Sequence, residues 1–411
     1  MQTTRQLRVG VMLRHLDDPG GIRVLSLHIA RYIAERMPDI DAHFLYSSIS
    51  QREWLDDLPV RHVVLPARSK LVWDQRRVPA YAHRAGLDIV LNTKFSMPLF
   101  TRAQTVAVLP GAEQWVVPAL FPTLDRLYSR FVQPLLLKST SAIITHTEQG
   151  RRDIARYIGV DPQRIAVVPL GADARMRPAS MVAQQRIRAK YNLPRRFILF
   201  LGGLSSLKNG DNLVRAFASI TRALPDIDLV FAGFRKRAAH HVFDTVRALG
   251  LQSRVHEPGY IDDGDLPAIY SAAECLAFPS WYEGFGIPII EAMACRCPVV
   301  TSTAGCAPEV AGDAAVLVPP EDPAAIAAGI RRVIEDAAVR QTCIERGLER
   351  SAQFTWETTG RLVGELLRTL GHRQPARPRL DVLRRFAQRV STFGLWCCVL
   401  DWMLALATSA S

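Results

Sequence analysis

Short β-branched runs alternate with amphipathic stretches along most of this chain, and the pattern is written twice. The first series is LRVGVML at 7–13, AHFLY at 42–46, HVVL at 62–65, DIVL at 88–91, TVAVL at 105–109 and AIITH at 142–146. After PLGAD at 169–173 and a polar, helix-prone connector, FILFLGG at 197–203 begins the plan again. Strands separated by helical stretches imply a parallel sheet covered on its faces. A chain of 411 residues also exceeds what one core ordinarily supports. The expectation is therefore an α/β protein of two Rossmann-like domains, 1–185 and 186–355, with the boundary near 180–195.

The repeat is visible in the letters. In the first half Gly20 and Gly21 precede IRVLSLHIARYIAERM, which ends in PDIDAHFLY; in the second, Gly202 and Gly203, then Lys208 and Asn209, precede NLVRAFASITRAL, which ends in PDIDLVFAG. A glycine turn after the first strand lets the next helix aim its N-terminal amides at an anion, usually a phosphate. The same repeat disposes of Asp39-x-Asp41 and Asp226-x-Asp228 as metal sites. Both fall between a helix and the following strand, at the N-terminal sheet edge, whereas ligands bind off the carboxyl edge. They are expected to be solvated turn residues, and no metal is expected.

Residues 279–300, PSWYEGFGIPIIEAMACRCPVV, carry two glutamates, Glu283 and Glu291. AECLAFPS at 273–280 and PVVTS at 298–302 read as the flanking strands. Glu283-Gly284-Phe285-Gly286 is then a loop off the carboxyl edge, Pro288 suits a helical first turn, and Ile289, Ile290, Met293, Ala294 and Cys297 continue an apolar helix face. Glu291 lies one turn in, and the amides of Phe285, Gly286 and Ile287 face the space between the carboxylates. Such a site offers donors for phosphate oxygens and two acceptors for hydroxyl groups, the pattern of a sugar joined to a nucleoside diphosphate. The glycines around Phe285 imply close backbone approach to something.

Hydrophobic residues at 48% and charged ones at 22% are globular composition and exclude a disordered or fibrous chain. The net charge of +12 suits nucleic acid, an anionic membrane face or a phosphorylated substrate alike. No nucleic-acid-binding signature accompanies it, so no nucleic-acid partner is expected. The opening MQTTRQLRVGVMLRHLDD lacks a long apolar core of the secretory kind, which points to the cytosol. All seven cysteines follow residue 274 without metal-site spacing and are expected to be reduced and mostly buried.

EGFGIPIIEAMA resembles the E-x7-E signature of glycosyltransferase family 4, the retaining GT-B transferases of group 1. Matching pieces stand in order over about 7–370: PGGI at 19–22, THTE at 145–148, VVPLGAD at 167–173, LGGLSSLKN at 201–209, LVFAG at 229–233, PGYIDDGDLPAIYSAA at 258–273, APEV at 307–310 and FTWE at 354–357. The resemblance implies a GT-B fold, two Rossmann-like domains facing each other across a cleft, with a helix at 356–370 crossing back to the first domain. It implies a hexosyltransferase, mannose being the first guess, that uses a nucleotide-diphospho-sugar donor and a lipid-linked or surface-glycan acceptor. The donor is a substrate, and no cofactor is implied. Glu283 and Lys208 would be catalytic, Lys208 neutralising the diphosphate. Glu291 would bind the ribose, Glu283 with the amides of Phe285 and Gly286 would hold the sugar, and Ile287, Gly20, Gly21, Gly203 and Tyr260 would complete the donor site. A degenerate nucleotide-sugar binder or scaffold and a GT-B epimerase or phosphorylase are the alternatives.

Three positions depart from the family pattern. Pro110, in VAVLPGAEQW, stands where many relatives carry histidine before Gly-x-Glu; Leu207 precedes Lys208 where relatives often have arginine; and Arg296 replaces a common helix-end glycine. His15 and His146 read as structural histidines. The tail, 371–411, is first basic and then apolar, with Asp401 the one charge in STFGLWCCVLDWMLALATSAS. An aspartate there disfavours a membrane span. An interfacial helix over 380–411, with Arg384, Arg385 and Arg389 on anionic lipid and Trp396 and Trp402 at the boundary, and a helix docked on protein are both open.

Overall fold

The structure is a computed structural model that describes residues 5–372 apart from 19, 95, 100 and 235–239. The tail expectations fall outside the described residues. Among the described residues, no helix is long and apolar enough to cross a membrane.

Two parallel sheets account for the alternating runs. The first contains β1 (Leu7–Met12), β2 (Ile40–Tyr46), β3 (Arg61–Val64), β4 (Ile89–Asn92), β5 (Gln104–Val108), β6 (Ala142–Thr145) and β7 (Ile165–Val167), in the order β3-β2-β1-β4-β5-β6-β7. The second contains β8 (Phe197–Leu201), β9 (Asp228–Ala232), β10 (Val255–Gly259), β11 (Cys275–Phe278), β12 (Val299–Ser302) and β13 (Ala315–Val318), in the order β10-β9-β8-β11-β12-β13. Central strands such as β4, β5, β6 and β11 are buried along their whole length, as sheets covered on both faces require. In each sheet the strand order reverses beside its first strand, between β1 and β4 and between β8 and β11. Crevices at such switch points, off the carboxyl ends, are where open α/β sheets bind ligands.

The helix Met181–Lys190 packs with the second domain: Arg186 pairs with Asp265 at 3.1 Å, and Lys190 lies 2.6 Å from both Asp262 and Asp265. The chain has therefore crossed over by residue 181. It crosses back before the helix Trp356–Gly371, which lies on the helix Gly21–Arg36 of the first domain. A side chain at Gly360 or Gly364 would collide with Tyr32 or Met37, so the small residues set the close approach. Val363, Leu367 and Leu370 are buried there, each contributing about 1.5–3 kcal/mol. Arg368 also makes a two-pronged pair with Asp39 at 2.7 and 2.8 Å. The two crossings run side by side, with the Ala172 amide donating to the Phe354 carbonyl at 3.1 Å and Ala172 bridged to Thr355.

The aspartates of the two Asp-x-Asp pairs do lie at the N-terminal sheet edge, but they are engaged rather than merely solvated. Asp41 faces Arg8 and Arg61 at 3.7 and 3.3 Å, Asp226 meets Arg196 at 2.7 Å, and Asp228 meets Arg254 and His256 at 2.6 Å each. The arginines explain the acidic pairs as edge ion pairs that tie the starts of neighbouring strands together. Cys275, Cys295, Cys297, Cys306 and Cys343 are buried free thiols.

Candidate functional site

The β8 end runs into a glycine turn whose geometry is forced. Gly202 has φ +136°, and Gly233, at the end of β9, is so close to Gly202 that a side chain there would strike its backbone. Gly203 follows, half-buried. The single turn Ser206–Lys208 ends at Asn209 in the left-handed region, φ 58°. Asn209 donates from its amide to the carbonyls of Pro279 and Pro320 at 2.9 and 2.6 Å, and the Trp281 amide donates to the Leu207 carbonyl at 2.8 Å. These bonds tie the loop after β8 to the loop after β11. Lys208 Nζ consequently lies 2.6 Å from Glu283 Oε1 and 4.6 Å from the centre of the Phe278 ring. The pair is largely enclosed and spans the second sheet's switch point.

Beyond Glu283, Gly286 takes φ 87° and caps the helix Ile287–Ala294, with Pro288 in its first turn. The first amides of such a helix have no partner within it. Phe285 turns its ring inward, edge-on to Phe354 at 5.4 Å, and leaves only its backbone for the site. The helix ends at Ala294, so Cys297 lies beyond it; Arg296, at φ 59°, makes the left-handed turn that glycine makes more cheaply. The close approach expected around Phe285 has a partner at Gly284: a side chain there would come within 2.6 Å of Pro110 Cβ and 2.9 Å of its carbonyl. The crowding is against the first domain.

Glu291 accepts a hydrogen bond from the Tyr270 hydroxyl at 2.9 Å. Burial pushes its carboxyl up to about 7, against the pull of that hydroxyl, and the charges of Asp173 and Asp263 add to the rise. Tyr260 is exposed at the end of β10, donates to Asp263 at 2.7 Å and stacks on Phe234 with ring centres 4.8 Å apart. Gly20, at φ 127°, opens the helix Gly21–Arg36, and Gly21 faces Ile287 across the cleft: a Cβ there would lie 3.8 Å from Ile287 Cδ1. Lys208, Glu283, Gly286, Ile287 and Gly21 thus come together around the helix start. Glu291 lies deeper in, and Tyr260 stands on the rim formed by β9 and β10.

The first domain brings residues that the sequence reading did not place. Glu113 follows β5 near Glu283, and burial together with that carboxylate raises its own carboxyl. Tyr282 reaches into the first domain, donating to Asp153 at 2.9 Å and accepting from the Ala112 amide at 3.1 Å. Glu309 accepts from the amides of Glu148 and Gln149 at 2.7 and 2.9 Å, capping a first-domain helix from the second domain. His146 is a buried structural histidine whose Nδ1 is 2.9 Å from the Val168 carbonyl, and burial lowers it to about 4.

A family model described as Glycosyltransferase Family 4 matches residues 19–175, and one described as Glycosyl transferases group 1 matches 183–350. The chain belongs to glycosyltransferase family 4. Among curated relatives of this family, the O-antigen chain mannosyltransferase B of Escherichia coli is 32% identical over 54% of this chain, a match spanning 58% of that protein. The D-inositol 3-phosphate glycosyltransferase of Corynebacterium diphtheriae is 26% identical, covering 87% of this chain and 92% of the relative. The fold is shared with Anabaena HepE, solved in complex with UDP-glucose: TM-score 0.73 at 20% identity, over 89% of this chain and 100% of that one. Such neighbours are GT-B glycosyltransferases, and the two facing sheets of this chain make the same fold.

Proposed function

We propose that this family 4 member transfers a hexose, mannose first among the candidates, from a nucleotide-diphospho-sugar to a lipid-linked or surface-glycan acceptor with retention at the anomeric carbon. The observation that carries the reading is the Lys208–Glu283 pair at the second sheet's switch point, 2.6 Å apart beside the start of the helix Ile287–Ala294. Breaking the bond between sugar C1 and the phosphate oxygen leaves negative charge on the diphosphate. Lys208 and the helix-end amides stabilise that charge where it develops. Glu283, released from Lys208 as the diphosphate arrives, accepts hydrogen bonds from sugar hydroxyls, and Glu291 accepts from the ribose. The acceptor oxygen bonds to C1 on the face the phosphate leaves, and its proton passes to the leaving phosphate. In this reading charge neutralisation falls to the protein itself, without a metal.

Tyr260 and Phe234 offer a stacked aromatic rim suited to a base. The mannosyltransferase name of one relative makes GDP-mannose the first donor to test, and the UDP-glucose complex of HepE makes UDP-glucose the second. On sequence grounds we assign contact with an anionic membrane face to 380–411. The test is nucleoside diphosphate release across a panel of nucleotide sugars, with and without membrane lipid extract. One donor should support acceptor-dependent release, and Lys208→Ala and Glu283→Ala should each lower it about 10²–10³-fold. Donor binding with no release under any condition would favour the degenerate binder instead.

A further inference from the structure

Glu309 reaches across from the second domain to the first, and its own footing comes from a single side chain. It stands on the helix Ala307–Ala311, five residues long, which is too short to hold its shape alone and leaves its last carbonyls without partners inside it. Arg350, at the end of the helix Ala337–Ser351, meets those carbonyls. Its Nη2 donates to the Glu309 carbonyl at 2.6 Å and its Nε to the Val310 carbonyl at 3.0 Å, while Nη1 donates to Gln353 Oε1 at 2.8 Å. A planar guanidinium fastened at three points has one orientation.

The same guanidinium lies over the ring of Phe354, 4.9 Å from its centre. That ring meets Phe285 edge-on, and the Phe354 carbonyl accepts from the Ala172 amide at 3.1 Å where the chain crosses between domains. The helix that carries Arg350 also packs on the helix Ile287–Ala294: a side chain at Gly347 would come within 3.2 Å of Met293. Arg350 therefore touches, directly or through one ring, the residue that grips the first domain, the return crossing, and the core side of the loop Glu283–Gly286.

Glu309 is consequently held at both ends. Its carboxylate takes the amides of Glu148 and Gln149 at 2.7 and 2.9 Å, and its main chain is fixed from behind by the arginine. A carboxylate on a loose main chain would lose more conformational freedom on reaching those amides, so fixing the main chain beforehand strengthens the contact across the cleft. Stabilising the second domain alone would not call for a bond to the one residue of this short helix that leaves that domain.

We propose that Arg350 is a positioning residue for transfer: by holding the main chain of Glu309 and the ring of Phe354 together, it sets how closely the first domain sits over the loop Glu283–Gly286. The inference rests on the transferase reading only where it speaks of transfer; the hold on Glu309 does not depend on it.

Hydrogen–deuterium exchange on the full chain reads that hold directly, because the amides of Glu148 and Gln149 are protected while Glu309 accepts from them. Arg350→Met keeps an apolar stem over Phe354 and removes the fork. The two amides should then exchange about tenfold faster, and Arg350→Lys, whose ammonium can still meet a carbonyl, should recover part of the protection. Arg350→Met combined with Glu309→Ala should exchange no faster there than Glu309→Ala alone, as a residue acting through Glu309 requires. Amides of β11, in the core of the second domain, should keep their wild-type rate throughout, which separates a lost position from a loosened domain. Unchanged exchange at Glu148 and Gln149 in Arg350→Met, a rise there matched by an equal rise in β11, or a double variant faster than Glu309→Ala overturns the proposal. With the donor that supports release, the single-turnover rate of Arg350→Met should fall about tenfold while nucleoside diphosphate affinity changes less than about twofold. An unchanged rate, or an affinity that falls as far as the rate, overturns the positioning role. Selective exchange in the variants with no transfer by the wild type from any donor would instead overturn the transferase reading and leave the hold of Arg350 on Glu309 standing.

Discussion

Glu291 gives a prediction that can be worked through with numbers. An ordinary carboxyl of this kind ionises near 4.5, and in the folded protein burial holds it protonated up to about 7. Between these values the folded state keeps a proton that the unfolded chain has released. Stability therefore falls as pH rises through that window and levels off above it. The shift corresponds to about 3 kcal/mol at most, and part of the side chain still reaches the cleft, so about 2 kcal/mol is the working figure. Glu291→Gln cannot ionise, yet keeps an oxygen to accept from the Tyr270 hydroxyl. Urea unfolding of both proteins, followed by fluorescence between about pH 4.5 and about pH 8, should show the wild type losing about 2 kcal/mol relative to the variant as pH rises. A wild-type minus variant difference that stays constant over that range refutes the reasoning. Hydroxyls that donate to the ionised form should lower the carboxyl again, so nucleotide affinity should rise with pH toward about 7 in the wild type and not in Glu291→Gln.

Two substitutions test how the domains meet. Tyr282→Phe removes the bond to Asp153 and strands the Ala112 amide; Asp153 keeps its bond from Gln149 at 2.8 Å, so we expect a loss of about 2–4 kcal/mol in thermal unfolding and an increased radius of gyration in solution scattering. Gly284→Ala places a methyl group 2.6 Å from Pro110 Cβ and should lower turnover about 100-fold, while nucleotide affinity, which the proposed function assigns to the second domain, should change little; unchanged turnover would show that the two loops are not held this close.

What the sequence disclosed follows from how local each cause is. The central strands announce themselves because they are buried on both faces and read as continuous apolar runs. β7, β10 and β13 did not: β7 (Ile165–Val167) and β13 (Ala315–Val318) are apolar but only three and four residues long, and β10 contains His256, Glu257 and Pro258 in five positions. Lys208 and Glu283 were legible because each sits in a loop with its own glycine or proline punctuation. The environment of Glu291 was not, since Tyr270 arrives from another helix. Tyr282 meets Asp153, 129 residues away, and no local pattern records that pairing. Phe285 stood in the right motif, yet its ring serves the core and only its amide faces the site.

The paired crossings at Ala172 and Thr355 have a kinetic consequence. Two covalent links fastened side by side leave the halves one easy motion, a swing about that seam. On the cleft side, Tyr282 and Glu309 are latches: each must let go of its first-domain partner before the mouth can widen. Product departure then shares a barrier with latch release, so opening limits turnover wherever bond cleavage is the faster step. Weakening a latch would accelerate the exit of a nucleoside diphosphate while loosening the arrangement that chemistry needs, and the optimum lies where the two rates meet.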